Sequence, residues 1–516
     1  MSSRPRAFAL FLFLSSSVAS ITAGTEPELI AEVKSGNTAG VRSLIARRTD
    51  VNVRAVDGTT ALHWAVRSAS AASVDLLIAA GADLNAVNRY GVSAVSLAAG
   101  QGDAGLLTRL LAAGASLHVA DSAQPEGQTS LMLASRTGSV QAIRVLATYG
   151  ADVNARERRT GTTALMWAAI ADRRAAVEAL LEAGAEINAR SALTDYPHTP
   201  PAVVGDALEE GASYVGQTVL PKGGWTAVIY AAREGALGAV RALAEWGADL
   251  DATDPDGSSA LMFAIINGHY DVAAALVESG ADVNLADRTG MTPLYAAVDM
   301  HSLPGTFGRP DLTPAVAAGS VGAIRMLLAS GADPNARLRT RILKRVYNAG
   351  DPRLGEGATP LMRAARGGDV AVMRLLREAG ADPALAQKNG NTLVHLAVAA
   401  NRGGNNPDRG TDAATIEAVR FCLELGADIN ATNASGDTPL HGSLTIPAIV
   451  EFLLARGARV DIKNQQGRTP LDAALRSRDT AETTVALLRR AGGESDAAVG
   501  AVPAPKASGG SPPVGR

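Results

Sequence analysis

A short phrase recurs along this chain at nearly constant spacing, and this regularity limits the possible folds more than any other feature. The phrase is Gly-Ala, then Asp, Glu or Ser, then an aliphatic residue or Pro, then Asn or Asp. It begins at Gly81, Gly150, Gly184, Gly247, Gly280, Gly331 and Gly426, with looser copies at Gly114, Gly380 and Gly457. Successive spacings are 33, 36, 34, 63, 33, 51, 49, 46 and 31 residues. The sequence therefore predicts a repeat with a period near 33 residues, lengthened in four intervals.

A second phrase precedes each copy of the first by a little over twenty residues wherever no extra residues intervene. It is GTTALHWA from Gly58, GTTALMWA from Gly161, GMTPLYAA from Gly290, GATPLMRA from Gly357 and GDTPLHGS from Gly436. The Thr of this phrase can cap a first helix with an inner face of Ala and Leu, and the later Gly can end a second helix. Each period thus predicts two short helices and a glycine turn.

These phrases resemble the ankyrin repeat, a β-turn finger followed by an antiparallel helix pair, in the style of bacterial secreted ankyrin-repeat proteins. The resemblance implies a mainly α fold, an ankyrin-repeat α-solenoid of helix-turn-helix units joined by short β-turn or hairpin fingers. We count a degenerate capping unit at 25–57 and about eleven units at 58–492. We interpret residues 1–23 as a signal peptide and residues 493–516 as a disordered tail rich in Gly, Pro, Ala and Ser.

The N-terminal residues indicate export. Arg4 and Arg6 precede an apolar run at 7–14, and small residues follow, with Ala19 and Ala23 as candidate positions after which cleavage occurs. The apolar run is too short to span a bilayer, which takes about 20 residues. No later segment has a transmembrane pattern, so we expect a secreted or periplasmic protein.

Composition excludes several classes of function. Lys and Arg number 48 against 51 Asp and Glu, so overall charge gives no reason to expect nucleic-acid binding. The only cysteine, Cys422, rules out an internal disulfide or a CxxC site. It replaces one Leu of a second-helix pair, so we expect it to be buried and unreactive.

Patterns typical of catalysis or cofactor binding do not occur. The sequence has no HExxH, GxSxG, GxGxxG or GxxxxGK[ST] motif. Three histidines occupy the TPLH-like position, where the resemblance implies internal hydrogen bonds: His63, His395 and His441. His269 begins a second helix, and the acidic run at 249–256 fails as a calcium loop because Ala252 takes the first ligand position. We therefore expect no catalytic residue, no metal and no cofactor.

Four insertions interrupt the period, at 191–223, 299–314, 337–356 and 401–413. Such insertions can be solvated loops or can enlarge a binding surface. The third insertion carries a basic run made of Arg337, Arg339, Arg341, Lys344 and Arg345. This basic loop can bind an acidic protein segment or an anionic polymer, and a merely solvated loop is the alternative.

One position of the first helices is predicted to face a concave groove, which ankyrin proteins use for binding partners. In successive units this groove row holds Arg67, Gly100, Arg136, Ile170, Arg233, Ile266, Asp299 and Arg366. Its arginines, Arg67, Arg136, Arg233 and Arg366, are candidate contacts for carboxylates, and simple solvation is the competing interpretation. The residue three positions earlier, such as Trp64 or Arg363, is expected to pack between helices. Arg89 and Tyr90 at a finger tip are further candidates.

These observations predict a monomeric, non-enzymatic scaffold that binds another protein through its groove and fingers, with no nucleic acid and no transmembrane segment. An alternative is a binder of an anionic cell-envelope polymer, using the basic loop at 337–345 and the groove arginines. A remote alternative is an enzyme with its site in an insertion.

Overall fold

The computed structural model describes residues 26–124, 126–194, 222–302, 314–340, 351, 353–399 and 411–493, with only the backbone described at 314–318. The predicted signal peptide and tail, and most of each predicted insertion, lie outside these residues. The chain divides into two compact units, Met1–Arg158 and Arg159–Arg516, here called unit 1 and unit 2.

Unit 1 is built from helices packed in two rows. The helices described are α1 (Glu28–Lys34), α2 (Thr38–Ala46), α3 (Ala61–Arg67), α4 (Ala71–Ala79), α5 (Ala94–Gln101), α6 (Ala104–Ala112), α7 (Leu117–Ser122), α8 (Ser130–Thr137) and α9 (Val140–Thr148). The first helices α1, α3, α5 and α8 contact one another in series, as do the second helices α2, α4, α6 and α9. The short helix α7 lies in the connection between two helix pairs. Each pair therefore buries its apolar face against its neighbours, as stacked repeats require.

The helix ends lie where the two sequence phrases predict them. Thr60 Oγ1 accepts a hydrogen bond from His63 N at 3.4 Å, and Ser93 Oγ accepts one from Ser96 N at 3.1 Å, so each hydroxyl caps a first helix. After the second helix α9, Gly150 has φ +85°, a left-handed conformation that strains any other residue. The phrases thus encode helix boundaries directly.

The Asn that closes the first phrase links consecutive repeats. Asn52 Oδ1 accepts from Asp83 N at 2.7 Å, and Asn52 Nδ2 donates to Gly81 O at 3.3 Å. One repeat later, Asn85 Oδ1 accepts from Ser116 N at 2.8 Å. The position requires a side-chain acceptor for a backbone N–H of the next repeat, which explains why Asn or Asp recurs there.

Unit 2 continues the same pattern over more repeats. Its described elements are α10 (Ala164–Ile170), α11 (Arg174–Glu182), β1 (Leu193–Thr194), β2 (Lys222–Gly223), α12 (Ala227–Glu234), α13 (Leu237–Glu245), α14 (Ala260–Ile266), α15 (Tyr270–Glu278), α16 (Pro293–Ser302), α17 (Pro314–Ala329), α18 (Pro360–Arg366), α19 (Val370–Glu378), α20 (Leu393–Ala397), α21 (Asp412–Glu424), a 3₁₀ helix (His441–Ser443), α22 (Pro447–Ala455), α23 (Pro470–Arg476) and α24 (Glu482–Arg490). First helices from α10 to α20 contact one another in series, and second helices from α11 to α24 do the same. In one pair the 3₁₀ helix takes the place of the first helix. The mainly helical ankyrin-type fold is confirmed.

The structure defines the ends of two predicted insertions. Strands β1 and β2 pair antiparallel, with Leu193 opposite Gly223 and Thr194 opposite Lys222, so they form a short ribbon. Helix α16 continues to Ser302, so the expectation that an insertion begins at Asp299 is wrong. The side chains from Asp299 to Ser302 are buried, and two of them have polar partners in neighbouring helices: Asp299 pairs with Arg363, and His301 contacts Ser320.

Candidate functional site

In unit 1, the groove row is cationic and exposed. Arg67 ends α3 and Arg136 lies in the last turn of α8, and both side chains are exposed. Lys34, at the same position of α1, is also exposed, and sequence analysis missed it because the first repeat lacks the turn phrase. Its location 33 residues before Arg67 was the available signal. Three of the four first helices of unit 1 thus present a cation at one position.

Trp64 organises two of these cations. The Lys34 ammonium lies 4.1 Å from the centroid of the Trp64 ring, and the Arg67 guanidinium carbon lies 5.2 Å from it. Both distances suit cation–π attraction, which holds the long side chains in place. Lys34 also pairs with Glu26. We name the set Lys34, Trp64, Arg67 and Arg136 the unit 1 cationic row.

The finger candidates Arg89 and Tyr90 form a small exposed pair. Arg89 Nη2 donates to Tyr90 Oη at 2.8 Å, and its guanidinium carbon lies 4.9 Å from the Tyr90 ring centroid. Tyr90 remains 55% exposed. An ordered aromatic ring beside a cation is the type of surface that contributes strongly to protein interfaces.

In unit 2, the groove row is partly exposed at Arg233 and buried at Asp299 and Arg366. Arg233 is partly exposed, stacks 5.0 Å from the Trp225 ring centroid and lies 3.6 Å from the Glu234 carboxylate. Trp225 in turn packs edge-on against Tyr230 and Phe263. Arg233 therefore lies at the edge of an aromatic cluster and keeps part of its surface exposed.

The prediction that Arg366 faces an open groove is wrong. Its side chain is 8% exposed, its Nε lies 2.9 Å from Asp351 Oδ2, and its Nη1 donates to Ala399 O. Burial lowers the pKa of Arg366 to about 10, although the charge of Asp351 opposes this. A guanidinium that is buried and paired inside the fold cannot serve as a surface contact.

Asp299, also placed in the groove row, is buried with Arg363. Arg363 Nε donates to Asp299 Oδ1 at 2.5 Å, and the Arg363 side chain is fully buried. Burial favours the neutral form of Arg363, but the charge of Asp299, the hydrogen bond to Asp299 and other nearby charges together outweigh burial, so the pKa of Arg363 is raised above its usual value. Asp299, Arg363 and the Arg366–Asp351 pair form what we call the buried ionic cluster, in which opposite charges replace the apolar contacts of other repeats.

His301 and Asp369 extend the buried ionic cluster. His301 Nε2 lies 3.0 Å from Asp369 Oδ2, and its Nδ1 lies 2.7 Å from Ser320 Oγ. Asp369 also caps α19 by accepting from Val372 N at 3.1 Å. The contact between Arg366 Nε and Asp351 Oδ2 is close but misaligned for hydrogen bonding, so charge attraction dominates it.

The basic loop is only partly described. Arg337 and Arg339 are exposed, and Arg337 Nη2 donates to Ala386 O at 3.0 Å. Arg341, Lys344 and Arg345 lie outside the described residues. The suggestion that this loop binds an anion stays a prediction.

The structure confirms the internal hydrogen bonds predicted for His63, His395 and His441 and the burial predicted for Cys422. His63, His395 and His441 each place one ring nitrogen near the capping Thr and the other near a carbonyl of the next repeat. His269 Nε2 lies 3.1 Å from Arg233 O. Cys422 is buried, and burial raises the pKa of its thiol.

Within the described ranges, no group of three or more His, Cys, Asp or Glu side chains could hold a metal ion, and no helix is long and apolar enough to cross a membrane.

Comparison with known proteins identifies the family. A model for ankyrin repeats in three copies matches residues 29–121, 95–191 and 248–305, one for ankyrin repeats in many copies matches 414–444, and one for a single ankyrin repeat matches 223–255 and 356–388. Together these matches cover more than half of the chain, which belongs to the ankyrin repeat family. Ankyrin repeats are generally protein–protein interaction modules, and proteins built from them are typically non-enzymatic scaffolds.

Comparison with individual proteins adds little to this. A solved structure, the ankyrin repeat domain of human ASB11, is 21% identical and covers 50% of this chain and 99% of its own, with a TM-score of 0.40. A search of curated protein sequences found no match.

Proposed function

We propose that the protein is an exported, non-enzymatic interaction scaffold whose unit 1 binds an acidic surface of a partner protein. The observation that carries the proposal is the unit 1 cationic row, in which Lys34, Arg67 and Arg136 share one position on three of the four first helices. Three cations at a repeated position present a line of donors, and carboxylates are their natural partners.

The side chains of this row are held in fixed positions, which supports binding by a folded partner. Trp64 holds Lys34 and Arg67 before any partner arrives. Side chains that are already ordered lose less conformational entropy on binding, so a modest number of contacts is enough for affinity. Arg89 and Tyr90, ordered in the same way at a finger tip, can extend the contact surface.

The test compares two double variants of the full chain. R67Q/R136Q removes two charges from the cationic row, and R42Q/R47Q removes two from exposed positions at the second helix α2 and its end. Each immobilised chain captures proteins from a cell-envelope extract, and the bound proteins are quantified by mass spectrometry. We expect at least one protein whose capture falls about tenfold or more with R67Q/R136Q only, since each charged hydrogen bond contributes about 1.5–3 kcal/mol.

Two results would contradict the proposal. Equal loss with both double variants would show that overall charge, and not the row, drives capture. Retention on heparin or peptidoglycan that disappears at high salt, without any selectively captured protein, would favour the anionic-polymer function. The burial of Arg366 already removes one arginine from the surface that the polymer function would use.

A further inference from the structure

A cleft opens among the fingers of unit 2, beside the β1–β2 ribbon. Its volume is about 620 Å³, within the range of roughly 300–1,000 Å³ that is common for ligand sites. Its lining includes Arg190, Leu193, Gly224, Pro255 and Arg288. None of these residues belongs to the groove row, the finger pair or the basic loop. The ribbon, formed by the two ends of the first insertion, supplies one wall.

The apolar part of the cleft is formed by Leu193 and Pro255. Leu193 is 58% exposed, which is unusual for a large aliphatic side chain in a strand. Gly224 lies between the two residues: a Cβ there would lie 3.2 Å from Leu193 Cδ2 and 3.5 Å from Pro255 Cδ. Since Gly224 also has φ +66°, glycine is required by conformation and keeps this part of the cleft open.

The charged part of the cleft is dominated by two arginines. Arg190 Nη1 donates to Gly224 O at 3.0 Å and to Thr253 O at 2.5 Å, which fixes its guanidinium between two fingers. Arg288 is exposed, and within the described part of the chain its guanidinium has no hydrogen-bond, ion-pair or ring partner. The lining carboxylate, Asp254, uses Oδ1 to accept from Asp256 N and Ser258 N, both at 2.9 Å, inside its own turn.

We propose that this cleft binds an extended acidic segment of a partner protein. One carboxylate of the segment pairs with Arg288, and a neighbouring apolar side chain packs on Leu193 and Pro255. Two guanidinium groups against one carboxylate favour an anionic ligand, and the exposed Leu193 favours a peptide over a small inorganic anion because only the peptide covers apolar surface. This site is in unit 2 and does not depend on the unit 1 cationic row.

The probes are three fluorescein-labelled peptides of ten residues: alternating Glu and Leu, alternating Gln and Leu, and alternating Glu and Ser. Fluorescence anisotropy measures their binding to the full chain. We expect the Glu-Leu peptide to bind best. R288Q and L193S should each weaken it about tenfold, the usual effect of removing one charged hydrogen bond or one buried aliphatic contact. The control R325Q removes an exposed charge from α17 and should leave binding unchanged.

Thermal melting of each variant shows whether it is folded, and inorganic phosphate serves as a competitor. The proposal is overturned if no peptide binds at about 1 mM, if Glu-Ser binds as well as Glu-Leu, or if R288Q and R325Q act equally. It is also overturned if phosphate at a concentration matched in ionic strength to a chloride control displaces the peptide, because a simple anion site would then suffice. Peptide binding that persists in R67Q/R136Q separates this cleft from the function proposed for unit 1.

Discussion

His63 shows how much of this fold depends on single side chains. Its Nδ1 accepts from Thr60 N at 3.2 Å, and its Nε2 donates to Val92 O of the next repeat at 2.9 Å. His395 and His441 make the equivalent contacts. The neutral ring uses both nitrogens, and a proton on Nδ1 would remove the bond from Thr. Burial accordingly lowers the pKa of all three histidines below the usual value of 6.5.

This lowered pKa predicts acid sensitivity. Below pH 6.5 these histidines become protonated in the unfolded chain, whereas in the folded chain they stay neutral until the pH reaches their lower pKa. Their contribution to the free energy of unfolding is therefore complete above pH 6.5 and is lost as the pH falls through the folded pKa. Each such proton costs about 1.4 kcal/mol per pH unit. We expect the urea midpoint of H63Q/H395Q/H441Q to fall less between pH 7.5 and 5.5 than that of the wild type.

The matched control is H118Q, which changes an exposed histidine and should keep the wild-type pH dependence. A triple variant with the same pH dependence as the wild type would show that these rings do not govern acid sensitivity.

At the scale of elements, the contact of α16 with α18 departs most from the repeat pattern. Most other first helices carry an aliphatic or aromatic residue at the Arg363 position, whereas α16 and α18 meet through Asp299 and Arg363. The sequence already shows an acidic residue in the groove row, Asp299, and a basic residue three positions before the groove row of the next repeat, Arg363. The sequence pattern places one in the groove and one between helices because each phrase describes a single repeat, whereas this pair joins two repeats.

The buried pair predicts a specific response to mutation. D299A leaves the buried Arg363 guanidinium uncompensated and should destabilise unit 2 by about 3–5 kcal/mol. D299I/R363L restores the residue types of other repeats and should recover most of the loss, since apolar replacement of a buried pair is often neutral. Urea denaturation followed by tryptophan fluorescence measures both effects.

For comparison, E356Q breaks the exposed Lys388–Glu356 contact of 2.7 Å and should cost less than about 1 kcal/mol. If the D299I/R363L double variant were as unstable as D299A, the pair would be stabilising in its own right.

At the scale of the whole molecule, the family and the repeat pattern could be predicted from the sequence because the same local signals recur from repeat to repeat. A cap, a glycine stop and an Asn acceptor are local signals that survive in each copy. The finger cleft and the buried ionic cluster were not predictable. They arise where residues from successive repeats and from the ends of insertions, such as Leu193 and Asp351, come together outside the common period.

The proposed export concerns the whole chain and has its own test. The apolar run at 7–14 followed by Ala19 and Ala23 predicts a mature protein that begins at Ser20 or Gly24. N-terminal sequencing of the protein from cell fractions and from the medium checks this. We expect the mature form in the periplasm or medium, and R4E/R6E should reduce its amount. A chain that keeps its first residues in every fraction would argue against a cleaved signal.

The final helix pair carries Asp472 where His63, His395 and His441 lie in their repeats. Asp472 Oδ2 accepts from Thr469 N at 3.0 Å and from Thr469 Oγ1 at 2.9 Å. Each histidine, by contrast, donates to a carbonyl 27 to 42 residues further along the chain. Recombining these repeats as modules therefore has a rule of order: a module with His requires a successor that supplies this carbonyl.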